Sequence, residues 1–365
     1  MTPSPVRVLV VGVGNMGVSH ARSYRAVEGF ELAGLCSRGI EERRDLAHEF
    51  PDVPKFSDYG EALAALKPDA VCIATWPDTH ARYALMAFQA GCHVFIEKPL
   101  AETVEEARRV AEAARGAGKA LIIGYILRVH PSWVRFVELG RELGKPLVMR
   151  MNLNQQSAGA NWAVHRQLMN SLSPIVDCGV HYVDVMCQVT GAKPVKVHAV
   201  GVRLTDEIRE GMYNYGHLHV VFDDGSVGWY EAGWGPMMSE VAFFVKDMVG
   251  PRGSVSIVAF DQGEATEEGA AKTASSDIDS HTKTAAIRVH HGALTPDGAF
   301  ARADDVLRMD DEPGHQELCD REQRLFLDAI RTGRDTSRHV QEAIDSLRIV
   351  LAADESVRTG EVVRL

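Results

Sequence analysis

The run VRVLVVGVGNMGVSH, residues 6–20, constrains the fold more than any other stretch of the chain. A short strand pattern of valine and leucine leads directly into Gly12, Gly14 and Gly17 in G-x-G-x-x-G spacing, and a helical pattern follows. Three glycines alone are weak evidence, but between a strand and a helix they form a dinucleotide fingerprint. Gly12 permits the tight turn, Gly14 lets the backbone approach a pyrophosphate, and Gly17 lets helix and strand pack closely. The helix N-terminus then faces the phosphates, with Asn15 and Met16 in the same turn.

From there to about residue 126, β-branched runs alternate with helical ones: FELAGLCS, EERRDLAHEF, DAVCIAT, DTHARYALMAFQAG, CHVFIEK, TVEEARRVAEAARGAG and ALIIGY. This alternation predicts a parallel sheet covered by helices on both faces. Asp78 and Thr103 read as helix N-caps, and Gly91 and Gly118 as helix stops. Beyond Tyr125 the pattern changes to PVKVHAVGVRL, HLHVVFDDGSVGWYEAG and EVAFFVKDMVGPRGSVSIVAF, joined by DDG and PRG turns. Period-two alternation with glycine turns predicts an antiparallel sheet. Residues 261–312 carry little periodicity and read as an irregular excursion with one or two edge strands, after which two helices close the chain. The expected fold class is an α/β Rossmann domain over 1–126, followed by an α+β domain over 127–365 with a large, mostly antiparallel open sheet.

The chain has 365 residues, 45% hydrophobic and 24% charged, which suits a globular protein of two domains. A net charge of −11 argues against nucleic-acid or anionic membrane surfaces, which need clustered Lys and Arg. A small-molecule partner is expected instead. The six cysteines are scattered without a C-x-x-C pair and mostly lie in apolar runs, so they read as reduced core residues of a cytoplasmic protein. Neither a signal peptide nor a membrane span is expected.

The second strand ends LCSRG, placing Ser37 where an acid would accept hydrogen bonds from the ribose of NAD. Arg38 follows and could bind a 2′-phosphate bidentately. The expected cofactor is therefore NADP, with NAD remaining open if Arg38 only stacks on adenine.

The motif GCHVFIEKPL puts Lys98-Pro99 at the carboxyl end of a strand, the edge where open α/β sheets bind ligands. Together with GVGNMG, the ATWPDTH turn, the D177-C-G-V-H181 helix and the FDDGSVG hairpin, it makes nearly the whole chain resemble the glucose–fructose oxidoreductase, inositol dehydrogenase and MocA family. This resemblance implies a sugar or cyclitol dehydrogenase, often a homodimer or homotetramer assembled through the C-terminal sheet. It also implies that Lys98, Asp177 and His181 are catalytic, and that Thr75, Trp76, His80, Glu97 and Lys98 lie along the cofactor. Oxidising a secondary alcohol needs a base for the hydroxyl proton and a donor to hold the oxygen, and imidazole titrates in a suitable range. Asp177 could instead cap the helix, and Asp184 reads as structural. No metal-ligand pattern is found around these residues, and none is expected.

Where family members commonly carry glycines before the catalytic Asp, this chain has MNSLSPIVD. Around the expected sugar pocket lie Arg128, His130, Trp162, His165, Arg166 and His181, and the candidate substrate contacts are Lys98, Arg128, Trp162, His165, Asp177 and His181. The density of cationic groups suggests a sugar bearing an anionic group, although any one of them could face solvent and Trp162 could equally be a core residue. Two further activities remain open: an oxidoreductive glycoside hydrolase that oxidises the ring transiently, and a non-catalytic cofactor sensor.

Overall fold

The computed structural model describes residues 4–238, 245–258, 282, 284–310 and 312–365. Two compact units are present, one formed by Met1–Ile126 and Gly314–Ile344, the other by Leu127–Pro313 and Asp345–Leu365. The second domain expected over 127–365 is thus not continuous, because Gly314–Ile344 packs with the first unit.

The first unit runs β1 (Val6–Val11), α1 (Asn15–Ala26), β2 (Phe30–Cys36), α2 (Arg44–Glu49), β3 (Lys55–Phe56), α3 (Tyr59–Leu66), β4 (Ala70–Ile73), α4 (Pro77–Gln89), β5 (His93–Glu97), α5 (Val104–Ala117) and β6 (Leu121–Gly124). Its described strands form a parallel sheet in the order β3-β2-β1-β4-β5-β6. In this order the chain reverses direction across the sheet between β1 and β4, and the crevice at their carboxyl ends is the natural place for a dinucleotide. The central strands are buried on both faces, which explains their nearly continuous apolar runs.

Thr103 caps α5 as expected, its hydroxyl accepting from the Glu106 amide at 3.1 Å. Gly118 takes the left-handed conformation after α5. Asp78 is not the cap of α4. Pro77 occupies the first helical position and pushes Asp78 into the first turn, leaving Trp76 as the N-cap residue.

The second unit contains α6 (Pro131–Glu142), β7 (Val148–Gln156), α7 (Gly159–Leu168), α8 (Pro174–Asp177), α9 (Gly179–Thr190), β8 (Pro194–Val202), β9 (Tyr215–Phe222) and β10 (Val227–Gly235). It continues with β11 (Lys246–Gly250), β12 (Gly253–Val258), β13 (Ala286–His291) and β14 (Asp305–Arg308). After α10 (His315–Thr332) and α11 (Ser337–Thr359), β15 (Val363–Arg364) closes the chain. The division between units falls within α11. The described strands form one sheet ordered β14-β13-β12-β11-β7-β10-β9-β8-β15, antiparallel throughout except for the β7–β10 pair.

Strand β7 sits in the middle of this sheet although its polar end, NLNQQ, does not read as a strand. Met149 and Met151 are fully buried, while its later polar residues are spent on hydrogen bonds. The expected strand start EVAFF lies wholly outside the described residues, as does most of 261–283. The described remainder of 261–312 supplies β13 and the edge strand β14.

The return of α10 to the first unit follows from its apolar stripe. Leu318, Phe326, Leu327 and Ala329 are buried, and Phe326 and Leu327 join the cluster formed by Val8, Val10, Tyr24, Phe30 and Phe95. Burying one such side chain is worth about 1.5–3 kcal/mol.

Candidate functional site

The glycine turn is built as its spacing requires. Gly12 has φ +86°, and a Cβ there would lie 2.5 Å from the Ala74 carbonyl oxygen. A Cβ on Gly17 would lie 1.8 Å from the Gly12 oxygen, so helix α1 can approach the turn only with glycine at that position. Gly14 is different: its missing Cβ meets no protein atom within 4 Å, and the residue is exposed. The open space lies at the N-terminus of α1, which has neither a capping side chain nor an acid in its first turn. Amides of a helix's first turn lack intrahelical partners and favour an anion. This cradle fits a pyrophosphate, with Asn15 and Met16 at its lip.

Arg43, which the sequence did not single out, donates from Nη1 to the Val13 carbonyl at 2.8 Å and pairs with Asp45 through Nε and Nη2. It braces the back of the turn. At the end of β2, Ser37 is half-buried, its amide donating to the Phe56 carbonyl at 3.0 Å, and Arg38 is exposed.

After β4, the Thr75 and Thr79 hydroxyls meet at 2.6 Å, and Thr79 also donates to the Trp76 carbonyl. Trp76 itself is 50% exposed, so its ring is available as a surface platform. His80 is fully buried, with Nδ1 2.8 Å from the Pro99 carbonyl and Nε2 3.0 Å from that of Thr75. Burial pulls its pKa down more strongly than the two carbonyls raise it. His80 therefore ties the turn after β4 to the one after β5, rather than presenting an open imidazole. Glu97 is buried and Lys98 half-buried, at the carboxyl end of β5.

In the second unit, the motif DCGVHYVDVM lies on two short helices rather than one, since α8 ends at Asp177 and α9 starts at Gly179. Ser173 caps α8, accepting from the Val176 amide at 3.1 Å, so Asp177 is not needed for that task. From Leu172 to Cys187 every residue is buried except Asp177 and His181. Along these two short helices only Asp177 and His181 keep partial exposure up to Cys187.

Gly179 permits the close packing, for a Cβ there would lie 2.8 Å from the Tyr230 ring. Beneath α9, Tyr182 stacks on Tyr230 with centroids 5.2 Å apart, and Lys246 Nζ lies 5.1 Å from the Tyr182 ring centre. Burial lowers the Lys246 pKa to about 7.

Around Asp177, Gln155 Oε1 accepts from Trp234 Nε1–H at 2.6 Å and from the Cys178 thiol at 3.2 Å. His165 stacks on Trp234 at 4.4 Å and 9°, with Nδ1 3.0 Å from the Ser157 hydroxyl. Burial brings the His165 pKa down to about 4 against the upward pull of Asp177, so its ring is neutral near pH 7. Gln155, Trp234 and Ser157 were not anticipated, because nothing in the local pattern shows that β7 and β10 end side by side.

The expected cationic pocket does not take shape. Arg128 forms a bidentate pair with Asp184, Nε at 2.8 Å and Nη2 at 2.5 Å, and Gln188 also donates to that carboxylate. Arg166 pairs with Glu207 at 2.6 Å. His130 is buried, and His165 is neutral. Trp162 is buried among Met169, Cys178, Ile208 and Trp234, its indole N–H directed at Glu207. The positive charges are thus neutralised by acids distant in sequence, and the expectation of an anionic sugar loses its basis. Asp184, read as structural, serves as the partner of Arg128.

Residues 6–125 match the model described as oxidoreductase family, NAD-binding Rossmann fold, and residues 139–246 match the GFO/IDH/MocA C-terminal domain. The chain is 31% identical over 201 residues to D-glucoside 3-dehydrogenase of Escherichia coli, covering 54% of this chain and 57% of that protein. It therefore spans little more than half the length of that relative. Over 99% of its own length and 96% of the other's it is 26% identical to scyllo-inositol 2-dehydrogenase (NAD(+)) of Bacillus subtilis. Among solved structures, GenD2 from gentamicin A biosynthesis, in complex with NAD, shares the fold with a TM-score of 0.73 and 23% identity, over 100% of this chain and 97% of that one. The two domain matches cover more than half of the chain, in order, and include the glycine turn, Lys98, Asp177 and His181: the protein belongs to the GFO/IDH/MocA family.

Proposed function

We propose that the protein is an NAD(P)-dependent dehydrogenase that oxidises a ring hydroxyl of a neutral sugar or cyclitol. The observation that carries this reading is that Asp177 and His181 are the two partly exposed residues of an otherwise buried helical run, in a chain that also carries an open phosphate cradle at Gly14. When bound, the nicotinamide would supply the hydride acceptor. His181 takes the hydroxyl proton, Lys98 holds the oxygen as it gains carbonyl character, and Asp177 accepts from a neighbouring hydroxyl and orients the ring. The names of the two relatives reported above support the substrate class, one being a glucoside dehydrogenase and the other an inositol dehydrogenase.

The preferred cofactor in this proposal is NADP, supported by Ser37 and the exposed Arg38 where a ribose-binding acid would stand. A homodimer or homotetramer is proposed through the open face of the second sheet, where Val148, Val200, Val202, Val227 and Val249 are exposed. A cytoplasmic setting is supported by the six cysteines, all of them buried thiols. No described helix is long and apolar enough to cross a membrane.

The test is a panel of free sugars, glycosides and cyclitols incubated with NAD+ or NADP+, following the absorbance of the reduced nicotinamide. Net reduction that disappears in Lys98→Met and in His181→Ala is expected. Release of an aglycone without net reduction would replace this reading with the hydrolytic one, and turnover unchanged in both variants would remove the assigned residues from the chemistry.

A further inference from the structure

Helix α10 brings Cys319, Glu322 and Gln323 into the core of the first unit, where they meet His20 of α1 and Glu97 of β5. All five are buried, and buried polar groups are costly unless each finds a partner. The order of the hydrogen bonds explains the cluster.

Gln323 Oε1 accepts from the Tyr24 hydroxyl at 2.6 Å, so its amide nitrogen is the atom 3.0 Å from His20 Nδ1. An amide nitrogen only donates. Nδ1 must therefore be the bare ring nitrogen, which puts the proton on Nε2, a tautomer assigned from the network. Nε2–H donates to Glu97 Oε1 at 2.7 Å, and Glu97 Oε2 accepts the backbone N–H of Lys98 at 3.2 Å.

The surroundings fix each part. Phe95 packs edge-on against the His20 ring at 4.8 Å, and a Cβ on Gly124 would come within 3.1 Å of Glu97 Oε1. Both carboxyl oxygens of Glu322 are buried with no hydrogen-bond partner among the described residues. Burial and the neighbouring Glu97 hold Glu322 well above the usual carboxylate range. His20, Cys319 and Glu322 also bring possible metal-ligand atoms within 4.8 Å of one another, but both ring nitrogens of His20 are already used by Gln323 and Glu97.

We infer that Gln323 is a positioning residue for Lys98: by donating to His20 Nδ1 it imposes the Nε2–H tautomer that holds the Glu97 carboxylate against the Lys98 amide. The inference rests on the proposed catalytic role of Lys98. It makes a residue of the C-terminal segment, more than two hundred positions away in sequence, part of the support of the cofactor-side site.

The test combines a spectrum with kinetics. In protein labelled with 15N-histidine, long-range proton–nitrogen correlations report the tautomer of each ring, with His20 assigned by its loss in His20→Asn. The wild-type ring is expected as Nε2–H; an Nδ1–H ring overturns the inference without any Gln323 variant. Gln323→Glu keeps the shape but, once ionised, can only accept, so above its pKa the His20 signal should leave the Nε2–H pattern. In Gln323→Glu and Gln323→Leu, kcat should fall by about tenfold to a hundredfold, the cost of displacing a reacting group by ~1 Å. KM for the dinucleotide should stay within about twofold, because the glycine turn is untouched. The pH profile of kcat should move with kcat.

Unchanged kcat and pH profile in a folded Gln323→Glu protein would sink the positioning role while leaving the dehydrogenase reading intact. A wild-type protein with the expected tautomer but no activity on any sugar would instead sink that reading, and the kinetic half of this inference with it.

Discussion

Replacing Arg128 by methionine should unfold the second unit at lower denaturant concentration without first affecting substrate. The Asp184 carboxylate is 1% exposed and accepts from Arg128 Nε, Arg128 Nη2 and Gln188 Nε2. Arg128→Met removes both charged donors from a buried carboxylate. Breaking a buried pair from one side costs about 3–5 kcal/mol, largely the penalty of the charge left behind. For a unit of this size about 1 kcal/mol shifts Tm by roughly 2–4 °C, so a fall of order 6–20 °C is expected.

The double variant Arg128→Met/Asp184→Leu removes the stranded charge and should recover much of that loss. Urea unfolding followed by fluorescence of Trp133, buried in the same unit, reads the loss, and the double-mutant cycle isolates the pair. A single variant as stable as wild type, with a raised KM for the sugar, would refute this account and return Arg128 to the substrate site.

Three other outcomes follow from the geometry. Gly14→Ala should fold with an unchanged Tm and lose dinucleotide affinity, because its Cβ enters the open cradle, whereas Gly17→Ala should lose both, its Cβ falling 1.8 Å from the Gly12 oxygen; thermal unfolding with a cofactor titration separates them. His165 is held near pKa 4, below its unfolded value of about 6.5, so the unfolded chain binds the extra proton first and stability falls as pH drops from about 6.5 to about 4. The full penalty is about 3 kcal/mol, and His165→Gln should flatten that part of the pH–stability curve; a curve that keeps its slope would assign the acid sensitivity elsewhere. Arg38→Ala should weaken NADP by about 1.5–3 kcal/mol, the worth of a hydrogen bond to a charged group, with little change for NAD, while equal losses would support stacking on adenine.

The local parts of this protein were legible in the order of its residues. A strand running into G-x-G-x-x-G and a helix has few conformations open to it, because two of those glycines sit where any Cβ would strike backbone. The alternation of elements, the Thr103 cap and the Lys98-Pro99 strand end are likewise short-range facts, determined within a few residues by backbone sterics and hydrogen bonding. The buried polar residues of α10 were not singled out, although Cys319, Glu322 and Gln323 fall beside Phe326 and Leu327 at helical spacing.

Only the tertiary structure decided which charges are spent. Asp184, Glu207, Gln155 and Gln323 reach Arg128, Arg166, Trp234 and His20 across 41 to 303 positions of sequence. Such pairs form because burial makes an unpartnered charge or amide expensive, and the partner that satisfies it is chosen by the packing of whole elements. The same long-range packing sent α10 back to the first unit and set the polar strand β7 in the middle of the second sheet. The sequence determined which residues could do chemistry; the fold decided which remained available for it.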